Sequence, residues 1–314
     1  MLAKTFLIRI AVVLLAAAPT LSLSQDQFDG VELSIEHVSG SVYMVQRPGG
    51  GGNVGAMIGP EGVLLVDSLF APLSDRLVAA VKQVSDADIR FLINTHIHID
   101  HIGGNHDLAE MGVLIFASDN TRHRFLEQRN RFPRNGGTFV PSQPESARPV
   151  VTFNDRLSFH LNGEEVQAFL VPPAHTDGDI FVYFPESDVL HLGDVYRTTS
   201  YPIIDVYNGG SLAGTIEAIN MAIEIAGADT RVIPGHGLSV VGREELVAFR
   251  DMILDIRGRV LTLIQEGKKL EEVMSARPTA DYDAEWTNDP GWGGDDFLPV
   301  LYYELGGSGR LADR

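Results

Sequence analysis

Six consecutive residues, His96-Ile97-His98-Ile99-Asp100-His101, gather three of the ten histidines of this 314-residue chain and set a carboxylate among them. They close the apolar run Phe91-Leu92-Ile93, which reads as a buried strand ending in a turn. Side chains two apart on an extended segment point the same way, so His96 and His98 can converge on one ion. Asp100 and His101, where the chain turns toward Gly103-Gly104, can face a second. Imidazole nitrogens with a carboxylate oxygen suit zinc, and also iron or manganese. A solvated polar strand end would not need such clustering.

A two-metal centre takes roughly six or seven ligands, and the hexapeptide supplies four. Three further residues sit in turn-like settings just after apolar runs: His175 after a strand ending at Val171, Asp194 after Val189 to Leu192, and His236 after Arg231-Val232-Ile233. Glycine and proline neighbours such as Pro234-Gly235 let the backbone turn sharply there. Open α/β sheets gather their ligands at such strand ends.

The elements that must position these residues are mainly strands. Val31 to His37 and Ser41 to Gln46 flank Ser39-Gly40, and Val54 to Ile58 and Val63 to Val66 flank Gly59-Pro60-Glu61-Gly62, in each case as a hairpin. A helix is expected after Ser74 as N-cap, with Leu77, Val78, Val81 and Val84 on one face. A strand from Val113 to Phe116 and a helix capped by Ser118 come next. Phe132 to Pro149 is rich in Pro, Gly, Asn and Ser and reads as a long loop. Five more strands follow, Val150–Phe153, Leu157–His160, Glu165–Val171, Ile180–Phe184 and Val189–Leu192, with a tight turn at Asn162-Gly163. Two amphipathic helices then show apolar faces at Leu212, Ile216, Ile219 and Ile223, and at Leu246, Phe249, Ile253, Ile256, Val260 and Leu263. The absence of a low-complexity linker or repeat favours one domain.

The five motifs, starting with Asp67 at the end of Val63 to Val66, resemble the metallo-β-lactamase superfamily in type and order over nearly the whole chain. That resemblance implies an α/β fold, a four-layer αββα sandwich of two mixed β-sheets with outer helices. It implies that His96, His98 and His175 hold one metal, that Asp100, His101 and His236 hold a second, and that Asp194 bridges them. Asp67 would support the ligands from behind. His191 is expected to be a packed histidine, and Asp177 and Asp179 turn groups. Gly49 to Gly52 reads equally as a loose hairpin tip or as a flap over the site.

Two divalent ions, expected to be Zn2+ with Fe or Mn as substitutes, would hold a bridging hydroxide that attacks a carbonyl of a thioester, ester, lactone or β-lactam. Asp100 would double as proton acceptor, and Tyr196 and Tyr201, which follow Asp194 closely, read either as oxyanion donors or as structural tyrosines. With no cysteine, the lactamase subclass that uses cysteine on the second metal is excluded. A bridging Asp194 is similar to glyoxalase II, to quorum-signal lactonases and to related hydrolases. The basic C-terminal patch that holds glutathione in glyoxalase II is reduced here to Lys268-Lys269. The tail from Tyr282 to Tyr303, with Trp286 and Trp292, resembles the helical cap of such relatives, its aromatics either packed or lining a cleft. The implied activity is a glyoxalase II-like hydrolysis of a small molecule. The alternatives are a mononuclear iron persulfide dioxygenase and a β-lactamase proper.

Residues 1–24 read as an export signal, with Lys4 and Arg9 before the apolar stretch Ile10 to Ala18 and small residues at Ser22-Leu23-Ser24. Nine apolar residues are too few to span a bilayer. The hydrolase domain would then run from 25 to 314, periplasmic or secreted, without stable membrane insertion. A net charge of −18 repels phosphate backbones and argues against nucleic acid as a partner.

Overall fold

Runs of Val, Ile, Leu and Phe pair into two sheets in the computed structural model, which describes residues 25–127, 129–130, 139–140, 142–287 and 292–309. The chain divides into a short unit, 1–30, and a large one, 31–314. Within the described part of the first is one 3-10 turn, Gln25–Phe28. The expected signal over 1–24 lies outside the described residues.

The large unit opens with β1 (Ser34–Ser39), β2 (Val42–Gln46), β3 (Val54–Gly59) and β4 (Gly62–Val66), an antiparallel meander. After helix α1 (Ser74–Lys82), β5 (Ile89–Ile93) adds parallel to β4. Two short helices, α2 (Ile99–Ile102) and α3 (Asn105–Glu110), lead to β6 (Leu114–Ser118) and α4 (Asp119–Leu126). The two-residue strands β7 (Arg129–Asn130) and β8 (Phe139–Val140) pair with each other, and β9 (Val151–Phe153) joins the first sheet beside β6. That sheet has seven strands in the order β1-β2-β3-β4-β5-β6-β9.

The second sheet has five, β10 (Arg156–Leu161), β11 (Glu164–Leu170), β12 (Ile180–Phe184), β13 (Val189–His191) and β14 (Arg231–Ile233), in sequence order. Its pairs are antiparallel except β13 with β14, so both sheets are mixed. Helix α5 (Leu212–Ile225) separates β13 from β14, and α6 (Arg243–Gln265), α7 (Leu270–Ala276), α8 (Asp283–Trp286) and α9 (Gly294–Glu304) end the described chain.

Alternation decides the layers. On β4, Leu64 and Val66 turn inward with Met44, Met57 and Ile93 to meet Val166, Ile180, Val182 and Ile233 of the other sheet. The outer face of the second sheet carries Phe169, Phe181, Leu190 and Val232, which pack under Ile219, Phe249, Ile253 and Phe297 of the helices. Helices α1, α3 and α4 lie against the first sheet. Each fully buried Leu or Phe contributes roughly 1.5–3 kcal/mol. The result is the αββα sandwich.

Several local readings change. Ser74 is the first residue of α1 rather than its cap, its hydroxyl donating back to the Ala71 carbonyl at 2.8 Å. A 3-10 turn, Ala71–Leu73, runs directly into the helix and takes the place of a cap. Val84 falls beyond α1 and is 42% exposed. Ser118 does cap α4, accepting from Thr121 N–H at 3.1 Å. The segment read as one loop from 132 to 149 contains part of the β7–β8 ribbon and a 3-10 turn, Glu145–Ala147; residues 131–138 and 141 lie outside the described residues.

Candidate metal centre

Beyond Ile93 the chain leaves the first sheet in a bend rather than as an extended strand, and Asp67 shapes that bend. Asp67 stands in the left-handed region, φ +71°, at the end of β4, a conformation aspartate tolerates better than most residues. Its buried carboxylate accepts from Thr95 N–H and Thr95 Oγ1–H, both at 2.7 Å, and from His101 Nδ1–H at 2.7 Å. Ser68, Asn94 and Asn105 form a buried hydrogen-bonded set that also holds the His101 carbonyl. A loop and a one-turn helix, α2, therefore place His96, His98, Asp100 and His101 with little freedom.

The other candidates arrive from the second sheet. His175 lies between β11 and β12, Asp194 in the 3-10 turn Gly193–Val195 after β13, and His236 in the loop after β14. The structure brings all seven together. His96, His98, His175 and Asp194 each offer an atom within 4.8 Å of the others, and Asp100, His101 and His236 do the same. Asp194 reaches both groups, Oδ1 lying 3.2 Å from His101 Nε2 and Oδ2 3.3 Å from His236 Nε2 and 3.7 Å from His175 Nε2. Asp100 Oδ2 lies 3.2 Å from His236 Nε2.

The outward nitrogens fix which inward ones are bare. His98 Nε2–H donates to Asp205 at 2.8 Å, and His175 Nδ1–H donates to the Ile203 carbonyl. His98 Nδ1 and His175 Nε2 then face each other 2.7 Å apart. Two bare lone pairs at that distance repel unless a proton or a cation lies between them. His96 Nε2 and Asp194 Oδ1 are buried without a hydrogen bond of good geometry. This donor set, with its supporting acceptors, fits divalent metal ions.

The electrostatics divide the cluster. Burial holds the His96 pKa well below the ordinary histidine value and drives His175 to about 3. Burial also opposes a charge on His101, yet Asp194, Asp100 and Asp67 outweigh it and raise its pKa well above 6.5. His236 is raised too, Asp194 and Asp100 overcoming its burial and the repulsion of Arg197. Asp194 stays an anion despite burial because His236, His101 and Arg197 surround it.

Tyr196 does not face this cluster. It is buried in the helical core with its ring edge-on to Phe249 at 5.1 Å, and the charged groups nearest its hydroxyl are Glu245 and Glu285. The backbone turns extended at Tyr196 (φ −129°), which sends the side chain toward α6 and away from Asp194. Tyr201 likewise stacks on Phe297 and donates to Asp283 at 2.9 Å. The expected oxyanion role is therefore corrected for both. Trp286 and Trp292 pack in the same core. His191 is buried, with Gly193 N–H donating to its Nδ1 at 3.2 Å. Asp179 accepts from Thr176 N–H, and Asp177 pairs with Arg124 at 2.6 Å. The glycine run touches the centre at one end, where a Cβ on Gly52 would lie 2.6 Å from His101 Cε1.

Three supporting residues have no motif around them in the sequence. Asp205 grips His98, Arg197 pairs with Asp194 at 2.7 Å, and Asn53 ties the hairpin to the His236 loop through Pro234 O and Gly237 O, both at 2.9 Å. The roles of Asp205 and Asn53 exist only once distant segments meet; Arg197 stands three residues from Asp194, and that closeness is the one sequence signal.

Comparison with known proteins places the chain in a family. The chain is 25% identical over 252 residues to the linear primary-alkylsulfatase of Pseudomonas sp., covering 68% of this chain and 48% of that protein. It thus spans about half the length of that relative. It is 27% identical over 180 residues to hydroxyacylglutathione hydrolase GloC of Haemophilus influenzae, covering 55% of this chain and 80% of that one. A double mutant of the sec-alkyl sulfatase PisA1 shares the fold with a TM-score of 0.67 and 19% identity, over 88% of this chain and 51% of that one. The family model described as the metallo-beta-lactamase superfamily matches residues 47–236, from the hairpin beside His101 to the last histidine of the cluster, and the chain belongs to that superfamily.

Proposed function

We propose that the protein is a dinuclear metal-dependent hydrolase of a small molecule, with His96, His98 and His175 on one ion, Asp100, His101 and His236 on the other, and Asp194 shared. The observation that carries this is the pair of facing bare nitrogens, His98 Nδ1 and His175 Nε2, 2.7 Å apart beside the unsatisfied His96 Nε2 and Asp194 Oδ1. Two divalent ions there, zinc in the first instance, would make a hydroxide nucleophile available near neutral pH and stabilise negative charge on an attacked oxygen. The chain's own residues hold the donors still: Asp67, Asp205 and the Ile203 carbonyl fix three imidazoles in one tautomer. Asp100, less buried than Asp194, is placed to take the nucleophile's proton.

The substrate we propose is an acyl compound, a thioester, ester, lactone or β-lactam, in line with the hydroxyacylglutathione hydrolase relative. A second reading, hydrolysis of a sulfate ester, is favoured by the alkylsulfatase match, which at 252 residues is longer than the superfamily segment. We also propose export to the periplasm or beyond; cell fractionation of the full chain tests it. Elemental analysis followed by a panel of thioester, lactone, β-lactam and primary alkyl sulfate substrates tests the activity. About two ions per chain with turnover of one class is the expected result. One iron per chain with oxygen consumption on a persulfide would overturn it.

A further inference from the structure

Arg197 lies inside the ligand cluster rather than at its rim. It is 3% exposed, and its Nη1 donates to Asp194 Oδ2 at 2.7 Å. Its Nε donates to Ser200 Oγ at 3.2 Å, and its backbone forms a bridge with His236 in the neighbouring loop. Asp194 Oδ1, by contrast, is buried without a hydrogen bond of good geometry and lies 3.2 Å from His101 Nε2. A carboxylate with both oxygens free can ligate through both. One whose second oxygen is held in a charge-assisted hydrogen bond keeps a lone pair there for an ion but loses its freedom to rotate, and here that oxygen also lies 3.3 Å from His236 Nε2 and 3.7 Å from His175 Nε2. A buried cation so close also draws charge from the carboxylate and makes it a weaker donor.

Resting on the reading that Asp194 spans two ions, we propose that Arg197 is a positioning residue that fixes the orientation of the Asp194 carboxylate between the two groups and weakens it as a donor. Weaker donation leaves the ions more electron-poor, which favours ionisation of a water and polarisation of a substrate oxygen. Arg197 thereby trades tightness of metal binding for reactivity.

Cobalt(II) substitution reads this without turnover, because the visible bands of the ion respond to the number and kind of its ligands. Arg197→Met should still bind two Co2+ per chain, with bands changed from wild type. Its affinity, by chelator competition, should be tighter by up to about tenfold, and an affinity no tighter than wild type overturns the proposal. Arg197→Lys, which keeps the charge, should bind with wild-type affinity. Wild-type bands in Arg197→Met, or tenfold weaker binding at an unchanged melting temperature, overturns the proposal. If Arg197→Met does not fold, Arg197→Gln, which also removes the charge, decides in its place: changed bands support the proposal and wild-type bands overturn it. A wild-type chain that takes up no cobalt overturns the metal-centre reading as well, whereas the variant outcomes bear on Arg197 alone.

Discussion

Burial and the neighbouring carboxylates decide how these histidines titrate in the metal-free protein. His96 and His175 are held neutral by burial, so their inward nitrogens are ready for an ion across the neutral range. His101 and His236, ringed by carboxylates, hold protons that an ion must displace. Uptake at the Asp100–His101–His236 group should therefore release protons and strengthen as pH rises, while uptake at the other group stays flatter. Calorimetric titration at pH 6 in buffers of different ionisation enthalpy checks this; no proton release with either ion would count against it. The same raised pKa has a sign for stability. In the metal-free chain the His101 proton stabilises the fold fully below the ordinary value of 6.5, and that contribution is lost as the pH climbs through its raised folded value. Tyr196→Phe tests the corrected role directly. Its activity should stay within about twofold of wild type, whereas loss of an oxyanion donor costs about 10²–10³ in turnover.

At the scale of elements, the hairpin tip between β2 and β3 is a part of the centre. Gly52→Ala would drive a methyl into the His101 ring and the Asp100 carbonyl, 2.6 and 2.8 Å away. Ion affinity at that group should fall about tenfold or more, with overpacking costing about 1–3 kcal/mol of stability; chelator competition and thermal melts separate the two. Gly258→Ala is the converse case, an exposed glycine in α6 with open space where its Cβ would go. It should stabilise by about 0.5–1 kcal/mol in a denaturant melt. The strands and the seven clustered residues were legible in the sequence because their signals are local: apolar runs, the turn residues that end them, and four of the seven within one hexapeptide. Asp205 and Asn53 were not, since each acts on a residue brought near only by tertiary structure, and Arg197, three residues from Asp194, carries no motif that marks its pairing. Tyr196 misled for a related reason. It sits two residues from Asp194, but its side chain packs against Phe249 of α6 while that of Asp194 faces the histidines.

The whole molecule joins its two sheets at the centre, with ligands from both. Among the described residues no helix is long and apolar enough to cross a membrane. Ions that bind only the folded chain should stabilise it by about 2.7 kcal/mol at a hundredfold excess over the dissociation constant. Scanning calorimetry with and without chelator should show a lower melting temperature for the stripped protein, and equal values would mean the cluster binds no ion of consequence. The union of the sheets also sets an order of events in the life of the chain. Asn53 holds the carbonyls of Pro234 and Gly237, 181 and 184 residues further on. A nascent chain that already displays the hexapeptide still lacks β14, the His236 turn and the partner loop that Asn53 anchors. Closing so long a loop comes late in assembly. On the proposed reading, metallation would therefore follow folding, and the compartment in which the chain finishes folding would select the ion.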